Sequence, residues 1–281
     1  MGRLLAITAA LAASLAVGVS ARQPAGAPTD SLHRPLDQIL DLHVRDGLVY
    51  YRALQSSRGS LDRYVTSLNV PAATYESWPK EAKMAFWVNA YNALVLQTVI
   101  NRYPIRGASS AYPAASIRQI SGAFDQQKHR VASRSVSLDE IEKKILPDFN
   151  EPRLLLALGR GAVGSGRLRS EAYSAARLQS QLDAIQSEFV NEQHMFKVDR
   201  EAGVVSTTPI LSWNQEPFVA AYAKSAPGKF ESRSPIERAL IAFVLPHLLP
   251  LEQDFVEQNQ FKVTFHTFDW RLNDLTGGRV E

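Results

Sequence analysis

MAFWVNAYNALVLQTVI, residues 84–100, decides how this chain is read. At helical spacing these residues are apolar nearly all the way round. A surface helix keeps a polar face, so this one is predicted to be buried on most sides. Pro79 suits the start of a helix, and the Tyr103-Pro104 pair ends it, because the residue before a proline is pushed out of the α region. The predicted helix runs from about Lys80 to Arg102. It is a poor membrane span: Asn89, Asn92 and Gln97 lie within it, and Lys83 and Arg102 bracket it closely.

Working outward, Ser31–Arg45 reads as a helix, with Leu32, Leu36, Ile39, Leu40 and Leu42 clustered at helical spacing. Asp46-Gly47 stops it with a turn. Leu61–Leu68 is a second short helix. Beyond the central helix, residues 104–116 have loop composition. Ser137-Leu-Asp-Glu140 is a capping box opening a helix through Leu146, which Pro147 closes. Leu154–Leu158 is a continuous apolar run, read as a buried strand. A glycine-rich loop follows at 159–166, then an amphipathic helix over Ala172–Val190. Phe196–Val198 and Val204–Ser206 flank a turn and read as a hairpin. Ser212–Gln215 and Ser234–Glu237 look like two further capping boxes. Phe261–Phe268 alternates as a strand does. No repeat, low-complexity block or linker interrupts the series. The expectation is a single α+β domain over 31–281, mostly helical, with a few short strands.

Composition narrows the chemistry. The 281 residues are 45% hydrophobic and 21% charged, so disorder is excluded for most of the chain. A chain of this size buries roughly 70–75% of its unfolded surface and needs no metal or disulfide to fold. There is no cysteine, which excludes disulfides, thiolate nucleophiles, iron–sulfur clusters and Cys-ligated zinc. Thirty-one basic against 28 acidic residues is a mixed surface, and no nucleic-acid partner is expected. Residues 1–21 carry Arg3, an uncharged apolar run from Leu4 to Val19, and the small-residue end Val19-Ser20-Ala21. They read as a cleaved signal peptide, with 22–30 as a flexible leader. The expected location is periplasmic or secreted, with no stable membrane span after cleavage.

Several motifs invite a function. Gly159-Arg-Gly-Ala-Val-Gly164 matches GxGxxG, but no second strand follows where a dinucleotide site requires one, so it reads as a loop. The six histidines are scattered without metal-ligand spacing, and no metal or cofactor is expected. Asn89 and Asn92, with Tyr91 between them, stand on the buried helix. Buried amides are costly unless hydrogen-bonded. They either tie down loop backbone or line a polar ligand pocket. Asp269-Trp270 follows the last strand and joins the ligand-binding candidates. Arg160, Arg167 and Arg169 make a small basic patch suited to an anionic ligand.

Taken together, DGLVYY (46–51), FWVNAYNA (86–93), Tyr103-Pro-Ile105, SLDEIE (137–142), RLLLAL (153–158), ILSW (210–213) and FDWRLN (268–273) resemble the bacterial and plant family called domain of unknown function 547. The pieces run in the family's order over about Asp46 to Asn273. The resemblance implies the family's fold, and it brings departures. Where the family has His after its SLDxIE helix, this chain has Lys143. Where it has His in the following segment, this chain has Leu155. Its two loop cysteines become Arg160 and Ser165. A Cys–His pair would suggest a thiol nucleophile with its base, and neither is present here. Two functions follow. One is a non-catalytic exported scaffold that binds an unknown ligand or protein partner in the inherited groove. The other is a hydrolase with Ser165 as nucleophile and Lys143 as base, which requires the two side chains within about 2.6–3.2 Å.

Overall fold

The helix Lys80–Ile100 is buried at every position from Met84 to Ile100 except Gln97. The computed structural model describes residues 28–276, and the segments read as signal peptide and most of the leader lie outside them. In chain order the elements are α1 (Pro28–His43), the hairpin β1 (Val44–Arg45) and β2 (Leu48–Val49), α2 (Tyr51–Ser56), α3 (Gly59–Ser67), α4 (Ala72–Glu76) and the central α5 (Lys80–Ile100). A long loop leads to the hairpin β3 (His129–Val131) and β4 (Arg134–Val136), then α6 (Leu138–Glu140), α7 (Arg153–Leu156) and α8 (Leu178–Phe189). The last part holds β5 (Phe196–Asp199), β6 (Val204–Thr207), α9 (Ile210–Trp213), α10 (Gln215–Tyr222), α11 (Pro235–Val244), α12 (Pro250–Glu257) and β7 (Lys262–Phe265). The fold is mostly helical α+β with small sheets.

Helices α1, α2 and α3 pack on α5 from one side, and the π-helical turn after α6 touches it from another. Phe86, Trp87 and Tyr91 are fully buried there, each contributing roughly 1.5–3 kcal/mol of apolar burial. The indole N–H of Trp87 still finds an acceptor, the Tyr75 hydroxyl at 2.8 Å. The β1–β2 turn puts Asp46 and Gly47 at φ of 50° and 80°, the left-handed pair that a two-residue hairpin demands and that Asp-Gly supplies. In the three-stranded sheet β5 runs antiparallel to β6, and β7 joins β6 in parallel with Val205 opposite Val263.

After β7 the chain returns across the molecule. Gly164 N donates to Asp269 O and Val163 N to Arg271 O, both at 2.9 Å. Leu272 N reaches Ala115 O at 2.9 Å, and Val49 N reaches Asn273 O at 2.8 Å. The C-terminal segment therefore clips the glycine loop, the 104–116 loop and the first hairpin together. A Cβ at Gly164 would stand 2.7 Å from Asp269 N, and one at Gly166 1.8 Å from Leu156 O. These glycines exist for close backbone approach, and the loop is buried.

Four sequence expectations need correction. Leu154–Leu158 is not a strand: Arg153–Leu156 form a helical turn. A continuous apolar run has no period, so burial on all sides alone cannot separate the two. The 172–190 helix begins at Leu178, because the preceding amides are held by side chains. Ala172 N donates to Asp37, Tyr173 N to Asn89, Ser174 N to Gln181 and Ala175 N to Asp30. Ser212 caps nothing; it lies inside α9 and its hydroxyl donates to Pro209 O at 2.8 Å. Helix α1 starts at Pro28, inside the stretch assigned to the leader. The Ser137 and Ser234 helix starts do form, with Glu140 and Glu237 each accepting the N–H of its serine.

Candidate functional site

Ser137 starts α6 with a reciprocal cap, and the chain then widens into a π-helical turn over Ile141–Ile145, where Leu146 N donates to Ile141 O. Wide turns of this kind re-aim side chains and recur at functional sites. Here Glu142 points inward and is buried, while Lys143 points out and is exposed. Glu142 meets Arg160 from the glycine loop. Arg160 Nη2 donates to Glu142 Oε1 at 2.6 Å, and Arg160 Nε lies 3.1 and 3.2 Å from the two carboxylate oxygens. The remaining guanidinium donors reach Leu158 O at 3.2 Å and Leu155 O at 3.1 Å. From α5, the Tyr91 hydroxyl donates to Glu142 Oε2 at 2.9 Å. Burial opposes the Arg160 charge, but the facing Glu142 carboxylate turns its net pKa shift upward. Burial, then the Glu142 charge, pushes the Tyr91 phenol well above its ordinary range. This buried trio fastens three elements together.

Above the trio opens a cavity of about 230 Å³. Glu142 and Arg160 form its floor, and Asp139 and Lys143 stand on its rim, joined by a 2.6 Å ion pair one helical turn apart. Its walls are aromatic: Trp213 from the end of α9, Trp270 from the C-terminal segment, and Phe124 from the loop before β3. Trp213 is 47% exposed. The two indoles lie at 13° with centroids 6.2 Å apart, and Phe268 packs 4.4 Å from Trp270. Arg118 and Asn214 complete the lining.

The sequence candidates divide sharply. Asn89 is held by Tyr173, its amide donating to the carbonyl at 2.8 Å and accepting from the N–H at 2.9 Å. Asn92 does the same between Ala157 O, at 3.1 Å, and Gly159 N, at 2.8 Å. Both amides tie loop backbone to α5, and neither lines the cavity. Arg160 and Trp270 do line it; Tyr91 lies beneath the floor. Asp269 turns to Arg271, whose Nε donates to it at 2.9 Å and which holds its carboxyl below the usual range. The basic patch does not form. Arg160 is buried on Glu142, Arg167 pairs with Asp46 at 3.0 Å, and Arg169 pairs with Glu188 at 3.2 Å.

Ser165 and Lys143 are not joined. The Ser165 hydroxyl is buried and makes no hydrogen bond among the described residues, and Lys143 is engaged by Asp139 in the open. His194 Nε2 reaches the Ser165 carbonyl, at 3.0 Å, and not its hydroxyl. Sequence reasoning missed Arg118, Phe124, Asp139, Glu142, Trp213 and Asn214 as lining residues. Trp213 and Glu142 stood inside quoted motifs, ILSW and SLDEIE, where their chemistry was legible. Arg118 and Phe124 carried no local signal. Among the described residues no three His, Asp or Glu side chains gather to hold a metal ion, and no helix is long and apolar enough to cross a membrane.

Residues 75–190 match the model of a family described as "Protein of unknown function, DUF547". No curated protein and no solved structure matches the chain. The matched span holds the buried trio and the rim, whereas both wall tryptophans at 213 and 270 lie outside it. Of the four positions where the resemblance implies His or Cys and this chain has another residue, Lys143 and Arg160 both line the cavity.

Proposed function

We propose that this DUF547 chain is an exported, non-catalytic protein that binds a small ligand in the aromatic cavity over the Glu142–Arg160 pair. One observation carries the reading. The Arg160 guanidinium, at a position where the family resemblance implies a cysteine, is closed onto a buried carboxylate rather than offered to the cavity. Both members of that pair are hydrogen-bonded on nearly every side, as buried charges must be. Aromatic walls with a few polar groups are the composition of a binding pocket. The unengaged Ser165 hydroxyl speaks against the hydrolase alternative.

The test is a small-molecule screen by thermal shift on the wild-type chain and Trp270→Ala, run beside chromogenic ester, amide and phosphoester substrates. A ligand at about one hundred times its Kd stabilises by roughly 2.7 kcal/mol. The expected result is a ligand that stabilises the wild type and not the Trp270→Ala variant, with no turnover. Turnover lost in Ser165→Ala or Lys143→Ala would overturn the reading. Export rests on the 1–21 segment. N-terminal sequencing of chain recovered from the periplasm or medium should begin at Arg22, and a cytoplasmic chain retaining that segment contradicts it.

A further inference from the structure

Four of the five charged side chains around the cavity neutralise one another in pairs. Glu142 faces Arg160, and Asp139 faces Lys143, each at 2.6 Å. Arg118 is the fifth, and no carboxylate among the described residues pairs with it. Its Nη2 donates to the Tyr112 hydroxyl at 2.8 Å. Its guanidinium carbon lies 4.9, 5.5 and 5.1 Å from the ring centroids of Tyr112, Phe124 and Trp270. The cavity therefore carries one uncompensated positive charge.

That charge is also preorganised. A guanidinium has five N–H donors in a rigid fork, and the three rings fix its plane while engaging few of them. Holding the side chain in advance lowers the ordering cost of binding. The ring contacts are attractive but supply no counter-charge, so they leave the fork able to grip a planar anion in bidentate fashion.

The walls set the rest of the ligand. Trp213 and Trp270 are nearly parallel, but 6.2 Å between centroids is less than the roughly 7–8 Å that a third ring between them would need. A ligand ring packs against the pair, not between them. The volume of about 230 Å³ is below the roughly 300–1,000 Å³ of drug-sized sites. There is room for one ring and a short charged arm.

We infer that the cavity takes a small single-ring organic anion, its carboxylate or phosphate on Arg118 and its ring against Trp213 and Trp270. This rests on the cavity being a ligand site, as proposed above, and adds the sign and shape of what it selects.

Four probes with the same ring isolate the charge: benzoate, phenyl phosphate, benzyl alcohol and benzylamine. Binding to the wild-type chain is read from tryptophan fluorescence and calorimetry at low salt. At least one anion should bind about tenfold or more tighter than the alcohol or the amine. The better of the two anions tells carboxylate from phosphate. Arg118→Gln should lower anion affinity about tenfold and leave the alcohol unchanged; Arg118 is exposed, so the variant should fold. Raising the salt should weaken the anion alone. The inference is overturned if the alcohol or amine matches the anions, if Arg118→Gln leaves anion binding intact, or if none of the four binds up to about 10 mM. A screen that finds neutral or cationic ligands lost in Trp270→Ala would sink this inference while the cavity's role as a ligand site survives. A screen that finds nothing removes both.

Discussion

Two arginines line one cavity and have opposite circumstances. Arg160 on the floor is only 1% exposed, and all three of its guanidinium nitrogens are hydrogen-bonded. Arg118 on the wall has rings and one hydroxyl around it but no counter-charge among the described residues. The difference teaches where stability and function separate in this molecule. The interior polar groups, Arg160–Glu142, Asn89, Asn92 and His33, whose Nδ1 lies 2.8 Å from the Tyr64 hydroxyl of α3, hold elements together. The groups at the mouth, Arg118, Trp213 and the Asp139–Lys143 pair, face what arrives from outside.

The strongest way to break the contrast is to remove one half of the floor pair. Glu142→Gln or Arg160→Met should each cost about 3–5 kcal/mol, because the partner is left buried and uncompensated. The double change Glu142→Leu with Arg160→Met should recover most of it. Urea unfolding of the three variants measures this, and single variants as stable as the wild type would show that the floor does not hold the fold.

The next largest effect is a pH dependence. Burial lowers the His33 pKa from 6.5 to about 4, partly offset by Asp30. The unfolded chain takes up this proton below about pH 6.5, and the folded chain does not until about pH 4. Stability due to His33 is therefore intact above 6.5 and falls as pH drops toward 4, by about 3 kcal/mol in all. His33→Gln should flatten that part of the profile relative to wild type, since other histidines titrate in both proteins. An unchanged slope would remove His33 from the interior group.

Asn92→Ala should cost about 2–3 kcal/mol, by stranding Ala157 O and Gly159 N. A loss below about 0.5 kcal/mol in urea would mean that the loop finds other partners. At the mouth, Lys143→Ala should shift stability by less than about 0.5 kcal/mol, as an exposed one-turn ion pair contributes little. A larger loss would move the rim into the structural group and blur the contrast.

The central helix was legible because an apolar surface with no polar face has only one place to go. Ser137 and Ser234 were legible because a capping box is a local contract between residues three apart. The turn at Asp46-Gly47 was legible for the same reason. Leu154–Leu158 was not, since a continuous apolar run fits a buried helix and a buried strand alike. The start of α8 was not, because the amides of 172–175 are claimed by side chains from α1, α5 and α8 itself. Asn89 and Asn92 were legible as costly buried amides, but not as backbone ties, since their partners lie 65 to 84 residues away.

By itself the sequence determined the mostly helical α+β character, the buried helix at the centre, the absence of thiol chemistry and the family resemblance carried by the FWVNAYNA and SLDEIE segments. Only the tertiary structure decided that Arg160 meets Glu142, that Ser165 and Lys143 stay apart, and that Trp213, Trp270 and Arg118 close around one cavity. Periodicity, caps and turns are settled between residues a few positions apart. An ion pair or a pocket wall is settled by which distant segments the core brings within a few ångströms, and no local pattern encodes that.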